Sequence, residues 1–102
     1  MDKDEILKQL NGIPEDVYDE IVLGFYEETR GRLKDISEAI GVFDQSALVR
    51  LAHGIKGSAA NLRLVHIQEI AETLQKAAES NDQAQVIKSF ELLKSLVPAA
   101  GK

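Results

Sequence analysis

Residues 44–62 read DQSALVRLAHGIKGSAANL, and this stretch determines the fold that the rest of the chain must accommodate. Its apolar side chains recur every three or four residues, the spacing that puts them on one face of an α-helix. They are Leu48, Leu51, Ala52, Ile55, Ala59 and Leu62. Asp44 stands before them as an N-cap, because its carboxylate accepts hydrogen bonds from the free amides of the first turn. The pattern predicts a helix over about residues 45–62.

The same apolar spacing recurs on both sides of this stretch and predicts four more helices. They cover about residues 3–10, residues 14 or 15 to about 42, residues 65–80 and residues 83–96. The connections between the long helices are short, and only Asn81-Asp82 separates the last two. Four long amphipathic helices with short connections pack best as an antiparallel up-and-down bundle. The predicted fold class is therefore all-α, a four-helix bundle with the short N-terminal helix covering one end.

The composition is that of one small globular domain, and residues 1–102 are interpreted as a single domain. Apolar residues make up 44% of the chain, which excludes an intrinsically disordered protein. There is no cysteine, so disulfides and thiolate metal sites are excluded and a cytoplasmic location is favoured. No apolar run approaches the roughly 20 residues that span a bilayer, so no membrane segment is expected. Because a closed four-helix core needs no second copy, we expect a monomer.

Charge is distributed unevenly along the chain, whose net charge is -5. Residues 1–44 carry 12 acidic and 5 basic side chains, whereas residues 45–102 carry 5 acidic and 7 basic ones. Between Asp44 and Glu69 there are 24 residues without a carboxylate, and both histidines lie among them. This window either hosts an anion or arises by chance in a small, alanine-rich helix. The net negative charge itself argues against nucleic-acid binding.

His53 lies in the middle of the central helix, with Lys56 and Gly57 one turn away on the same face. A neutral imidazole is a good nucleophile near neutral pH, and a lysine one turn away can meet an oxygen of an anionic group. Gly57 leaves room for another protein, although a glycine inside a helix costs stability. Each residue also has a plain structural interpretation: a surface histidine, a solvated lysine and a glycine that lets helices pack closely.

The stretch AHGIKGSAANL, residues 52–62, resembles the signature of histidine phosphotransfer domains, in which His-x-x-Lys-Gly is followed by small residues. The resemblance extends over about residues 5–97, through the acidic long helix, the Asp44 cap and Leu74-Gln75 in the following helix. It implies a carrier of phosphoryl groups in the phosphorelays of two-component signal transduction.

The resemblance also implies how the domain works. The expected partners are receiver domains of response regulators and an upstream hybrid histidine kinase. A phosphorylated receiver docks on the domain, and His53 accepts its phosphoryl group. His53 then passes the group to a second receiver. Lys56 stabilises that group, Gly57 gives access and Gln75 orients the ring or the phosphoryl group. Magnesium is expected on the receiver, so this chain is expected to hold no cofactor or metal and to lack autokinase activity. The face expected to meet the receiver contains Val49, Ala60, Arg63 and Leu64.

One residue departs from the family pattern, because Arg63 stands where these domains usually have glycine, ten residues after the histidine. That glycine commonly ends the helix in a left-handed backbone conformation, which arginine tolerates poorly. Arg63 therefore either extends the helix or adds a cation for an acidic receiver surface. The second histidine, His66, has no comparable neighbours, and its spacing from His53 does not suit a shared metal site.

Two other functions compete with this interpretation. The dimerisation domain of a histidine kinase also carries a phosphorylatable histidine on a bundle helix, usually followed by an acidic residue and, soon after, a proline. Here Gly54 follows the histidine, no proline occurs between residues 14 and 98, and no glycine-rich nucleotide-binding segment is present. The alternative is a helical module that binds receivers without transferring phosphate, and the presence of His53, Lys56 and Gly57 together argues against it.

Overall fold

Residues 14–98 form four α-helices in a computed structural model of the chain, and these are the residues that the structure describes. Helix α1 spans Glu15–Val42, α2 spans Gln45–Asn61, α3 spans Val65–Glu79 and α4 spans Gln83–Leu96. Each bound lies within one residue of the corresponding predicted long helix. The predicted short helix over about residues 3–10 lies outside the described residues. The all-α bundle is confirmed.

Side chains from all four helices share one apolar core. Each helix packs against the next one in the chain, and α1 also packs against α4, so the four helices close into a bundle. The largest fully buried apolar side chains are Ile36, Leu48, Ile55, Leu74, Val86 and Leu93. Of the six apolar positions predicted on α2, only Leu51 and Leu62 lie at the margin of the core instead of inside it.

Aspartate side chains cap the starts of α2 and α4. The Asp44 carboxylate accepts a hydrogen bond from the amide of Ala47 at 3.2 Å, and the Asp82 carboxylate accepts one from the amide of Gln85 at 3.1 Å. Each bond satisfies an amide that has no partner inside its helix. The predicted cap at Asp44 is confirmed, and it marks where α2 begins.

The three connections within residues 14–98 reverse the chain in the same way. The residues Phe43, Arg63 and Asn81 adopt left-handed backbone conformations, with φ of 43°, 60° and 58°. After α2, the amide of Leu64 donates to the Ala59 carbonyl oxygen at 2.9 Å, and the amide of Arg63 donates to the Ala60 carbonyl oxygen at 3.1 Å. This is the Schellman motif, which satisfies carbonyl groups that the last turn of a helix leaves free.

Arg63 ends α2 in a conformation that favours glycine, so the expectation that it extends the helix is wrong. Its guanidinium donates from Nη1 to the Ala60 carbonyl oxygen at 3.1 Å and covers the end of the helix. At the same end, the Tyr18 hydroxyl donates to the Leu62 carbonyl oxygen at 2.9 Å. These side-chain contacts, together with the two backbone bonds of the motif, hold the turn in place despite the unfavourable φ.

Replacing Arg63 by glycine is expected to raise the free energy of unfolding by about 0.5–1 kcal/mol. A left-handed conformation costs an L-residue with a side chain roughly 1–2 kcal/mol. The greater freedom of glycine in the unfolded chain and the loss of the exposed guanidinium bond to Ala60 offset part of the gain. Urea-induced unfolding measures the change. Asn81→Gly is the matched control and should gain less, because asparagine tolerates this conformation. If Arg63→Gly unfolded at a lower urea concentration than the wild type, the result would contradict backbone strain at Arg63.

Candidate functional site

One face of α2 is exposed to solvent along its length. Its residues recur every three or four positions, and they are Ser46, Arg50, His53, Gly57 and Asn61. By helical geometry Gly54 lies about 100° to one side of His53, and Lys56 lies about 60° to the other side. Gly54 faces α1 and Lys56 faces α3, as their contacts show. His53 therefore stands at the centre of an exposed stripe that two neighbouring helices border.

The imidazole of His53 is presented to solvent from a well-anchored helix. His53 is exposed, and no hydrogen bond or ion pair ties its ring to any other residue within 14–98. Its helical neighbours Ala52 and Ile55 are fully buried, so the backbone beneath the ring is fixed by the core. Both ring nitrogens are thus open to a reaction partner while the side chain's point of attachment is held in place.

Gly57 leaves open space one turn beyond His53. It is exposed, and no atom of another helix lies within 4 Å of the position that a Cβ would take there. This excludes the explanation that the glycine lets two helices pack closely. A glycine costs a helix interior about 1 kcal/mol relative to alanine. Since packing does not require this glycine, we infer that its lack of a side chain serves to keep the surface beside His53 open.

Lys56 is held toward α3 by an acidic residue that sequence reasoning missed. Its Nζ donates to Glu72 Oε1 at 3.4 Å, and the two side chains are 32% and 45% exposed. The carboxylate-free window of the sequence is therefore not free of carboxylates in space. The separation of 16 residues fits two antiparallel helices joined by a short turn, so hairpin register is the signal from which Glu72 could have been found.

Arg32 of α1 is the second residue that sequence reasoning missed, and it lies against Gly54. Its Cζ and Nε are each 3.4 Å from the position of a Cβ on Gly54, so the guanidinium rests on the backbone of α2 next to His53. Its Nη2 forms an ion pair with Glu28 Oε1 at 2.8 Å. Its Nη1 is buried and has no hydrogen-bond partner. Nothing in the sequence pattern marks a contact between residues this far apart.

Gln75 does not hydrogen-bond to His53 in the structure. Its Nε2 donates to Glu79 Oε2 at 3.5 Å, a long bond on the same helix. Its Oε1 is buried without a hydrogen-bond partner. Buried polar atoms are rarely left unsatisfied, so this amide oxygen has the capacity to accept a further bond. The role predicted for Gln75 in orienting the ring stays a prediction.

The residues predicted to meet a partner lie beside the exposed stripe rather than on it. Val49 and Ala60 are half-buried at the α3 side of the stripe, and Leu64 is half-buried in the turn after α2. Val49 and Leu64 also pack against the core, so only part of each is available to a partner. Arg63 is exposed. The stripe itself adds Arg50, which the prediction did not include.

The second histidine lies in a different environment from the first. His66 lines a groove of about 470 Å³ near Tyr26 and Leu96, at the end of the bundle where α2 turns into α3. In the part of the chain that the structure describes, no three histidine, aspartate or glutamate side chains gather as metal ligands would. No helix within the same part is long and apolar enough to cross a membrane.

The arrangement around His53 suits acceptance of an anionic group from another molecule. The nucleophile is exposed, a cation borders it on each side, and Gly57 leaves the approach open. Both cations are already balanced by carboxylates, Glu28 on α1 and Glu72 on α3. Lys56 must exchange its carboxylate to bind an incoming anion, whereas Arg32 also has the donor Nη1, which has no hydrogen-bond partner. The site therefore favours a group delivered and oriented by its donor.

Comparisons with known proteins are consistent with this geometry. A protein-family model described as Hpt domain matches residues 20–101 of the chain. The matched range contains all of α2, α3 and α4 and most of α1. No curated protein and no solved structure matches the chain.

Proposed function

Because the chain belongs to the Hpt domain family, whose model matches residues 20–101, we propose that it relays a phosphoryl group through His53. Members of this family are phosphocarriers that act through a histidine in phosphorelays. This chain accepts the group from the phospho-aspartate of one receiver domain and passes it to the aspartate of another. The observation that carries the proposal is the position of His53, exposed at the centre of α2 beside the open space at Gly57.

The transfer needs no acid or base from this chain. The lone pair of the outer ring nitrogen, Nε2 of His53, attacks phosphorus in line with the aspartyl oxygen. The P–N bond forms as the P–O bond breaks, and the electron pair leaves with the receiver's carboxylate. The proton on Nδ1 stays on the ring. Passage to the second receiver is the reverse reaction with a different aspartate, so positioning and charge supply most of the catalysis.

Several parts of the proposal concern the partners of the chain. The receiver would supply magnesium, whose positive charge would offset the negative charge of the phosphoryl group, and an upstream hybrid histidine kinase supplies the phosphoryl group. The chain itself acts as a monomeric phosphocarrier without autokinase activity. A cytoplasmic setting belongs to the same proposal, supported by the absence of cysteine from the sequence.

A relay reconstituted from two receivers tests the proposed function. A phosphorylated receiver is mixed with magnesium, this protein and a second, unphosphorylated receiver whose mass differs. We expect phosphate to appear on the second receiver only when the protein is present. Receivers that bind the wild type but exchange no phosphate through it would favour the non-transferring binding module instead.

Lys56→Ala is expected to slow phosphoryl transfer by about tenfold, because it removes one charge-assisted hydrogen bond to the phosphoryl group. The free energy of unfolding should change by less than about 1 kcal/mol, since the ion pair with Glu72 is partly exposed. Rapid-quench measurement of transfer from a phosphorylated receiver gives the rate.

Glu72→Gln is the matched control for Lys56→Ala, because it breaks the same ion pair but leaves the lysine in place. We expect transfer through Glu72→Gln at the wild-type rate or faster, since Lys56 no longer has to exchange a carboxylate for the phosphoryl group. Equal slowing in the two variants would show that the ion pair matters only for structure.

A further inference from the structure

On the side of His53 that faces α1, one side-chain hydrogen-bond donor has no acceptor. The guanidinium of Arg32 lies on the backbone of Gly54, with Cζ and Nε 3.4 Å from the position of a Cβ there. Its Nη2 is engaged by Glu28 at 2.8 Å, whereas its buried Nη1 has no acceptor. An unsatisfied buried donor costs roughly 1–3 kcal/mol, and more when it is charged. One nitrogen of this cation, Nη1, therefore has no hydrogen-bond partner, although the charge itself is paired with Glu28.

Position decides which acceptor fits this donor. Gly54 directly follows His53, so the guanidinium lies against the residue next to the phosphoacceptor. Arginine presents donors in a planar fork that suits phosphate oxygens. The Arg32 side chain is 28% exposed but Nη1 itself is buried, so binding an oxygen on His53 requires the guanidinium to turn toward the exposed stripe. Lys56 borders His53 from the opposite side.

We propose that Arg32 binds an oxygen of the phosphoryl group on His53 from its position against the backbone of Gly54. This inference rests on the proposed function and names a second cationic ligand for the same group. Arg32 then holds the phosphoryl group from the α1 side while Lys56 holds it from the α3 side. Two cations on opposite sides fix the orientation of the group, which matters because in-line transfer depends on alignment.

The test compares Arg32→Gln, Arg32→Lys and Gly54→Ala with Arg30→Gln as the matched control. Arg30 lies on the same helix, and its Nη1 donates to the Pro98 carbonyl oxygen at 2.8 Å, away from the site. Each protein is phosphorylated with phosphoramidate, so no receiver is needed. His53 attacks phosphorus, the P–N bond of the reagent breaks, and its electron pair leaves with ammonia. The ³¹P resonance of the phosphohistidine is recorded, and the equilibrium of transfer to a receiver is then measured.

We expect Arg32→Gln to move the ³¹P resonance and to lower the equilibrium share of phosphohistidine about tenfold, the effect of one charge-assisted hydrogen bond. Arg32→Lys should restore part of that share. Gly54→Ala should keep most of it, because a Cβ there would lie 3.4 Å from the guanidinium, at ordinary van der Waals contact. Arg30→Gln should match the wild type. The inference is wrong if the resonance and the equilibrium are unchanged in Arg32→Gln. It is also wrong if Arg32→Gln loses only affinity for the receiver, because Arg32 would then bind a group on the receiver and not the phosphoryl group on His53.

Failure of this inference is separate from failure of the proposed function. If phosphoramidate modifies His53 but receivers do not, the relay proposal falls, and the ³¹P resonance still decides whether Arg32 contacts the group. If receivers modify His53 and Arg32→Gln behaves as the wild type, only this inference falls. If neither donor modifies His53, both are wrong.

Discussion

Replacing Gly57 by leucine is expected to cut phosphoryl transfer from a receiver by at least about 100-fold while making the protein slightly more stable. A Cβ at this position meets no atom of another helix within 4 Å, so the new side chain starts from open space beside the bundle. Leucine is a better helix former than glycine, which raises the free energy of unfolding by about 0.5–1 kcal/mol. The same side chain stands one turn from His53 and holds an incoming receiver away, and small misplacements cost large factors in transfer.

Gly24→Leu is the matched control for this effect. Gly24 is also an exposed glycine inside a helix, with no atom within 4 Å of the position of a Cβ, but it lies on α1. Both variants should unfold at higher urea concentration than the wild type, and only Gly57→Leu should lose transfer. Rapid-quench kinetics and urea unfolding measure the two properties. Wild-type transfer through Gly57→Leu would contradict docking over this face.

Leu74→Ala is expected to lower the free energy of unfolding by about 3–4 kcal/mol. Leu74 is fully buried on α3, and removing a buried leucine leaves a cavity that the surrounding side chains fill only in part. Domains of this kind are stable by roughly 5–15 kcal/mol, so the variant should lose a large part of that margin. Chemical denaturation with urea, followed by circular dichroism at helical wavelengths, gives the value.

Leu92→Ala makes the same chemical change at an exposed position. Leu92 lies on α4 and is 45% exposed, so its truncation should cost less than about 1 kcal/mol. The change in helix propensity is the same in both variants. The difference between their losses in free energy of unfolding therefore measures the effect of burial. Similar losses in both variants would contradict the core that the bundle places around Leu74.

The four long helices were predictable because their signals are local. Apolar spacing and the cap at Asp44 depend on residues a few positions apart, and each predicted bound agrees with the structure to within one residue. Arg63 was harder, because the sequence shows the unfavourable side chain but not the contacts that hold it. Backbone bonds to Ala59 and Ala60 and a side-chain bond to Ala60 hold this turn.

The surroundings of His53 were predicted only along α2 itself. His53, Lys56 and Gly57 share a helix, so their common face follows from helical geometry alone. Of the partners from other helices, Glu72 follows from the register of the α2–α3 hairpin, but Arg32 depends on how α1 is rotated and shifted against α2. Periodicity does not determine that rotation or shift to the precision of one side chain, so the contact of Arg32 became visible only in the packed bundle.

The central claim is that His53 itself carries the phosphoryl group, and intact mass tests it most directly. The wild type and His53→Ala are each mixed with a phosphorylated receiver and magnesium, and their masses are measured before and after brief acid treatment. The account predicts a gain of one phosphate on the wild type that acid removes, and no gain on His53→Ala. An equal gain on both proteins, or none on the wild type with any receiver that binds it, would contradict the account.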